Sequence, residues 1–281
     1  MKVIRHPDEM RAWSYERRAE GKSVGLVPTM GAFHGGHISL MEACAERDAV
    51  SVVSIFVNPA QFAPHEDFDS YPRTFESDCA AAKALGMDAV YAPPASALYA
   101  ENYATYVEVE RLQEGLCGKT RPHFFRGVAT VVVKLFNAVV PDRAYFGEKD
   151  GQQAAIIKRM TRDLDFGIDI VTLPTVRDAD GMAASSRNAY LDAEGRELGL
   201  ALSRALFGAR ELMVQGECDA RRVVRMVKEG LADVEVDYVA LVDADELNPL
   251  MRVEGNVLLA AAVTVGDTRL IDNIRYEVGE S

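Results

Sequence analysis

The sequence predicts an α/β protein, a doubly wound parallel sheet with a smaller α/β domain behind it. Three observations carry that reading. First, residues 23–27 are short and apolar and close on Pro28, residues 38–45 are helix-compatible, and 50–57 form a second apolar run. Strand, glycine-rich turn, helix and strand in that order make a βαβ unit. Second, alternating strand and helix patterns continue to Leu173, which implies parallel pairing. Third, the pattern changes past Pro174, giving a boundary near 175, with domains over 1–175 and 176–281.

The elements follow in order. Residues 58–62 and the polar stretch to Arg73 read as an ordered loop at a strand's carboxyl end, where open α/β sheets place ligands. Residues 74–85 look helical and 89–91 strand-like, and 106–109 form another candidate strand. The valine-rich stretch 128–140 suggests strand by propensity. Its apolar residues Val128, Val131, Val132, Leu135, Phe136 and Val139 keep helical spacing, so it is read as a buried helix. A strand over 143–146, a helix from Asp150 to Leu164 and a strand over 168–173 complete the first domain. The second has an amphipathic helix carrying Leu198, Leu202, Leu206, Ala209 and Leu212, a helix over 219–231, and strands over 234–242, 257–263 and 268–274.

The chain has 281 residues, 48% of them hydrophobic, and a net charge of −12. That balance argues against nucleic acid or an anionic membrane as a partner. No apolar run has spanning length and no signal-peptide core opens the chain, so the expected address is the cytoplasm. Cys44, Cys79, Cys117 and Cys218 are scattered, without ligand spacing, and read as buried thiols.

Three elements carry chemistry. The turn Met30-Gly31-Ala32-Phe33-His34-Gly35-Gly36-His37 opens a helix, whose first N–H groups attract anions. His34 and His37 share one helical face and can donate to phosphate oxygens. They lack the spacing and companions of a zinc site. Taken alone, the pair also suits two surface histidines. The second element is Gly147-Glu148-Lys149-Asp150, where lysine can neutralise a phosphate and aspartate can hold Mg²⁺ through water. A solvated charged turn is the simpler reading of that tetrad in isolation. The third, Ser185-Ser186-Arg187, offers hydroxyls and a guanidinium fork suited to pyrophosphate, though such a loop also arises by chance. The case rests on all three occurring in order on one frame.

At these residues the chain resembles the pantothenate synthetase (pantoate–β-alanine ligase) family over essentially its whole length. The matching stretches are Val27–Gly31, His34-x-Gly-His37, Ser54–Pro59 with Gln61-Phe62, Tyr71–Thr74, Arg126–Val128, Gly147–Asp150, Gln152-Gln153, Asp180-Gly181, Ser185–Asn188 and Gly266–Asn273. The histidine and Ser-Ser-Arg elements also mark the wider class I aminoacyl-tRNA synthetase and nucleotidyltransferase superfamily, with its Rossmann-like fold. The Gln61 and Gln153 regions narrow the resemblance.

The resemblance implies that pantoate attacks the α-phosphate of Mg·ATP, and that β-alanine then displaces AMP from pantoyl adenylate. It implies that ATP is held by Met30 to His37, by Gly147 to Asp150, and by Val176, Ala184, Ser185, Ser186 and Arg187. His34, His37, Lys149 and Arg187 would be catalytic, and Asp150 would help place Mg²⁺. Gln61 and Gln153 would bind pantoate, and Gln61 would border β-alanine. Asn58 and Arg121 would be further contacts, and a homodimer is implied. The chain departs from the family at His123, one place early in its motif, at Gly151, where the family is bulkier, and at Ala184, where it carries Leu or Met. A relative acting on another hydroxy acid or amine, and a nucleotide-sensing binding protein without turnover, are the competing readings. Release of pyrophosphate, tested one acid at a time, separates them.

Overall fold

The computed structural model describes residues 1–64 and 66–279. In chain order the elements are β1 (Lys2–Ile4), α1 (Pro7–Ala19), β2 (Val24–Thr29), α2 (Gly35–Arg47), β3 (Val50–Ile55) and α3 (Phe75–Ala84). Next come β4 (Ala89–Tyr91), α4 (Ala95–Leu98), α5 (Cys117–Thr120), α6 (Phe124–Val139), β5 (Arg143–Gly147), α7 (Gly151–Asp163) and β6 (Asp169–Leu173). The chain closes with α8 (Ala193–Val214), α9 (Ala220–Gly230), β7 (Glu235–Asp243), β8 (Asn256–Val265) and β9 (Thr268–Glu277). No described helix is long and apolar enough to cross a membrane.

The residues group into two compact units. One comprises Met1–Val109, His123–Gly147 and Ile156–Leu173, the other Glu110–Pro122, Glu148–Ala155 and Pro174–Ser281. The long segment of the second unit begins beside the expected boundary at 175. Two short segments that precede this boundary in sequence, one of them containing Lys149 and Gln153, group with it.

The first unit is built on a six-stranded sheet in the order β1-β4-β3-β2-β5-β6, with every neighbouring pair parallel. Val27, Val53, Val90 and Tyr145 point to one face, where Leu40, Met41 and Cys44 of α2 and Ala82 of α3 close the core. Alternate strand residues face the other side, and α1 and α6 pack there against β2. The valine-rich stretch is helix α6, with Val128, Val131, Val132, Leu135, Phe136 and Val139 all buried. Strand order reverses at β2, which has β3 on one side and β5 on the other. Ligands of open α/β sheets bind at such a switch point, beyond the strands' carboxyl ends.

Two expectations are corrected here. Pro28 does not close β2, which runs on to Thr29 and stays paired with β3 as far as Ile55. Val24 accepts from Asp142 on the β5 side, so by alternation Pro28 faces that side too. β5 pairs only with Gly25 and Leu26, so at Pro28 no ladder donor is needed. Residues 106–109 are not a strand: the Val107 N–H goes instead to Thr130 Oγ1, 2.9 Å away.

The second unit has an antiparallel sheet, β7-β8-β9. Leu202, Leu206, Ala209 and Met213 of α8 and Val223 and Val227 of α9 pack on one face with Val257, Leu259, Ala261 and Val263 of β8. Leu258 and Ala260 point the opposite way, into a smaller cluster with Leu116, Val242 and Ala244.

Candidate active site

In the first unit the site is assembled at the carboxyl ends of β2 and β3. Beyond Thr29 the chain turns through Gly31 and Ala32, both at positive φ (85° and 51°). An L-residue in the left-handed region needs support. Asp78 of α3, 3% exposed, supplies it. Its carboxylate accepts from the backbone N–H of Ala32 (2.9 Å) and Phe33 (3.0 Å) and from Thr74 Oγ1 (3.0 Å).

The loop ends where α2 begins, and both histidines form its cap. His34 Nδ1 accepts from the Gly36 N–H at 3.1 Å, and His37 Nδ1 accepts from the His34 N–H at 3.4 Å, a reciprocal capping box. The two rings lie 4.1 Å apart between centroids. With Nδ1 accepting on both rings, the neutral tautomer carries its proton on Nε2, so the opposite edge of each imidazole is the donor edge. The first turn of α2 holds no acidic residue, so no side chain of that turn offsets the positive end of the helix dipole.

Beside this loop, Gln61 is almost fully buried. Its Nε2 donates to Met30 Sδ (3.0 Å), and its Oε1 accepts from Asn58 Nδ2 (3.1 Å). Asn58 Nδ2 also donates to the Gly127 carbonyl (3.1 Å), and Asn58 Oδ1 accepts from Tyr99 OH (2.8 Å). Burial pushes the Tyr99 pKa up, so the hydroxyl stays a donor. Gly127 lets α6 meet the 59–61 turn backbone to backbone. A Cβ there would collide with the Ala60 carbonyl and lie 2.7 Å from Gln61 Cα. Lys134 of α6 sits over the Tyr103 ring at 4.6 Å, and burial lowers its pKa.

In the second unit, Glu148–Asp150 form a 3-10 turn leading into α7. Lys149 Nζ lies 3.8 Å from Asp150 Oδ1, and the Asp150 side chain is about half exposed. Asn273 of β9 donates from Nδ2 to the carbonyls of Glu148 (3.0 Å) and Lys149 (2.6 Å). Gly151 does not loosen this turn: a Cβ there would lie 3.0 Å from Leu258 Cδ1 and 3.3 Å from the Asn273 amide, so the glycine permits close packing on β8 and β9. Gln152 is buried and spends its amide on the backbone, donating to Leu112 and Gly115 and accepting from Cys117. Gln153, its neighbour, is half-buried.

Ser185 caps a second 3-10 turn, Ser186–Tyr190, accepting from the Arg187 N–H at 3.3 Å. Val176 and the buried Ala184 are joined by a backbone hydrogen bond (2.9 Å) at the neck of the loop before it. Arg177 makes a bidentate pair with Asp272 (2.7 and 3.0 Å) and lies over the Phe207 ring. His123 precedes α6 and caps nothing with its side chain. The thiols are not uniformly buried: Cys44 and Cys117 are, Cys79 is half-buried and Cys218 is exposed. Among the described residues no group of three His, Cys, Asp or Glu could hold a metal ion.

Residues 2–275 match the family model described as pantoate-beta-alanine ligase. The chain belongs to the pantoate-beta-alanine ligase family. It is 52% identical to the pantothenate synthetase of Moorella thermoacetica, over the full length of both chains. It is 51% identical to that of Pelotomaculum thermopropionicum, covering 97% of this chain and 98% of the relative. Among solved structures, a pantothenate synthetase from Thermus thermophilus superposes with a TM-score of 0.92 at 41% identity, covering 98% and 99% of the two chains. A pantoate-beta-alanine ligase from Francisella tularensis, solved in complex with beta-gamma ATP and β-alanine, gives 0.77 at 29% identity over 98% and 97%. The ligase family's histidine pair, Gln61, Lys149 and Ser185–Arg187 are visible in the sequence. The roles of Asp78, Arg177, Asp272 and Asn273 are not: each acts by long-range bonds to distant segments that no periodicity marks. The Arg269-x-x-Asp272-Asn273 match is the one signal that points toward the last two.

Proposed function

We propose that this ligase condenses pantoate with β-alanine in two steps through pantoyl adenylate. A pantoate carboxylate oxygen attacks the α-phosphorus of ATP, the bond to the β-phosphate breaks, and pyrophosphate leaves. The β-alanine nitrogen then attacks the acyl carbon, the bond to the phosphoryl oxygen breaks, AMP leaves, and the amine proton passes to solvent. What carries the reading is the histidine cap at the end of β2, two donor edges fixed by backbone bonds at the start of a helix whose first turn holds no acidic residue. Such preorganised donors act where phosphoryl charge shifts.

In this reading Met30 to His37 hold ATP, with His34 and His37 donating to its phosphates. Lys149 neutralises phosphate charge, and Ser185, Ser186 and Arg187 bind the departing pyrophosphate. The ATP and β-alanine held by the Francisella tularensis relative support both as substrates here. Gln61 and Gln153 read pantoate, since an amide both donates and accepts, and Gln61 borders β-alanine. Mg²⁺ characteristically keeps most of its waters and takes one carboxylate plus substrate phosphates. The half-exposed Asp150 suits that donor set. When bound, the ion supplies charge neutralisation on the triphosphate. A homodimer in the cytoplasm completes the proposal.

Pantoate labelled with ¹⁸O in both carboxylate oxygens tests the pathway. One label is expected in the AMP phosphoryl group and the other in pantothenate. AMP free of label overturns the adenylate.

A further inference from the structure

Asp272 and Asn273 are consecutive on β9, and both are buried, at 3% and 7% exposure. Buried polar side chains persist where their hydrogen bonds are satisfied, and what satisfies these two is unusual. Their backbones pair with β8, and their side chains bond to segments outside the sheet. Asn273 directs its Nδ2 at the carbonyls of Glu148 and Lys149, two consecutive peptides of the turn that carries the lysine ammonium. Asp272 takes both arms of the Arg177 guanidinium.

Arg177 is not a passive counter-ion. Its Nη1 also donates to the Gly181 carbonyl at 3.1 Å, and Arg177 bridges Ala183 in antiparallel register. It therefore ties both sides of the loop that delivers Ser185-Ser186-Arg187. Asp272 Oδ1 additionally accepts from the Asn273 N–H at 2.8 Å, which locks the two anchors to each other. Gly151 packs on Asn273 closely enough that a Cβ would press on its amide. Both cationic elements, far apart in sequence, are thus hung from one dipeptide of a single strand.

We propose that Asn273 is a positioning residue for Lys149, and that Asp272, through Arg177, positions the Ser185–Arg187 loop. The dipeptide thereby fixes the spacing between the lysine ammonium and the arginine guanidinium. This rests on the reading above in which both cations act on the ATP phosphates. Phosphoryl transfer depends on alignment, and a misplacement of about 1 Å can cost on the order of 10²-fold in rate.

A double-mutant cycle separates positioning from mere support. Single-turnover pyrophosphate release from ATP and pantoate is measured without β-alanine for wild type, N273A, K149A and the double variant. Asn273→Ala is expected to lower the rate about 10- to 100-fold with little change in the Michaelis constant for pantoate. In the Lys149→Ala background the same change is expected to cost less than about 3-fold, because residues acting as a unit are not additive. Asp272→Asn is expected to show the same non-additivity with Arg187→Ala. Amide exchange supplies a second readout: N273A is expected to lose protection in the Lys149 turn while the β8–β9 amides keep theirs. If N273A proves too unstable to assay, N273D, which keeps the shape and lacks the donor, enters the same cycle. Full additivity, with unchanged exchange in the turn, overturns the positioning role while leaving Lys149 catalytic. A Lys149→Ala variant at the wild-type rate overturns the reading of Lys149 itself, and the positioning role with it.

Discussion

Replacing Asp78 should separate loop stability from fold stability. In the Asp78→Ala variant the N–H groups of Ala32 and Phe33 and the Thr74 hydroxyl lose their acceptor. A buried donor left unsatisfied costs about 1–3 kcal/mol, and bonds to a charged acceptor lie toward the upper end. If the loop stayed in place, the two peptide donors alone would cost about 3–5 kcal/mol. The roughly 1 kcal/mol of left-handed backbone strain at Ala32, φ 51°, is the same in both proteins with the loop in place, and it favours release of the loop once the acceptor is gone. The loop follows the last residue of β2 and its Phe33 and His34 are half-exposed, so it can relax toward water instead. The expected division is therefore about 1–2 kcal/mol from global stability, read by urea unfolding, with a similar amount withheld from binding. The latter corresponds to an ATP dissociation constant raised about 5- to 30-fold, read by calorimetry. Asp78→Asn keeps one carbonyl oxygen and turns an amide donor on the other N–H, so it should fall between the two. Pantoate binding should change far less. Wild-type ATP affinity in both variants, or an equal loss for pantoate, would refute the anchoring role.

Gly127→Ala should force α6 away from the 59–61 turn and stretch the Asn58 bond to the Gly127 carbonyl. Overpacking of this kind costs about 1–3 kcal/mol, and the Michaelis constant for pantoate should rise more than that for ATP. A variant within 0.5 kcal/mol of wild type, a difference within ordinary surface-substitution scatter of about that size, would count against the contact. The thiols should divide by burial: Cys218 should react with a disulfide reagent in the native protein, and Cys44 only after unfolding. Burial pushes the Cys44 thiol up to about 12 from a usual 9. The unfolded chain therefore loses that proton first as pH rises, and stability should fall above pH 9 by up to about 1.4 kcal/mol per pH unit from this group. A flat stability profile between pH 9 and 10.5, compared between wild type and Cys44→Ala, would contradict it.

Much of the fold is legible because burial imposes periodicity. Helix α6 is the clear case: six apolar residues on a 3.6-residue repeat outweigh the strand propensity of its valines. The βαβ frame and the turn carrying His34 and His37 are legible for the same reason, since strand, glycine turn and helix each leave a local trace. The N-terminal elements were within reach but are absent from the sequence reading. β1 has only three residues, yet α1 starts with Pro7, Asp8 and Glu9 and ends with Arg17 and Arg18, a pattern matched to the helix dipole. Residues 106–109 show the opposite failure. Their alternation suits a strand, but the Val107 N–H is satisfied by a threonine side chain, which local sequence does not reveal. The site divides along the same line. Groups presented by a turn or cap are readable, whereas anchors such as Asp78 and Arg177 depend on which distant backbone the fold brings to them.

Pro28 has a consequence for the crevice itself. β2 stays zipped to β3 through Thr29 and Ile55, and β5 stays zipped to β6 through Gly147 and Leu173, while β2 and β5 part after Leu26 and Ala144. The two halves of the sheet therefore splay like a partly opened seam. An ordinary residue at 28 would offer that seam another tooth, a peptide N–H aimed at β5, and would favour closing the gap or filling it with fixed water. Proline removes the tooth. The opening at the switch point is thus written into backbone chemistry by one missing hydrogen, one residue before β2 ends and the histidine loop begins.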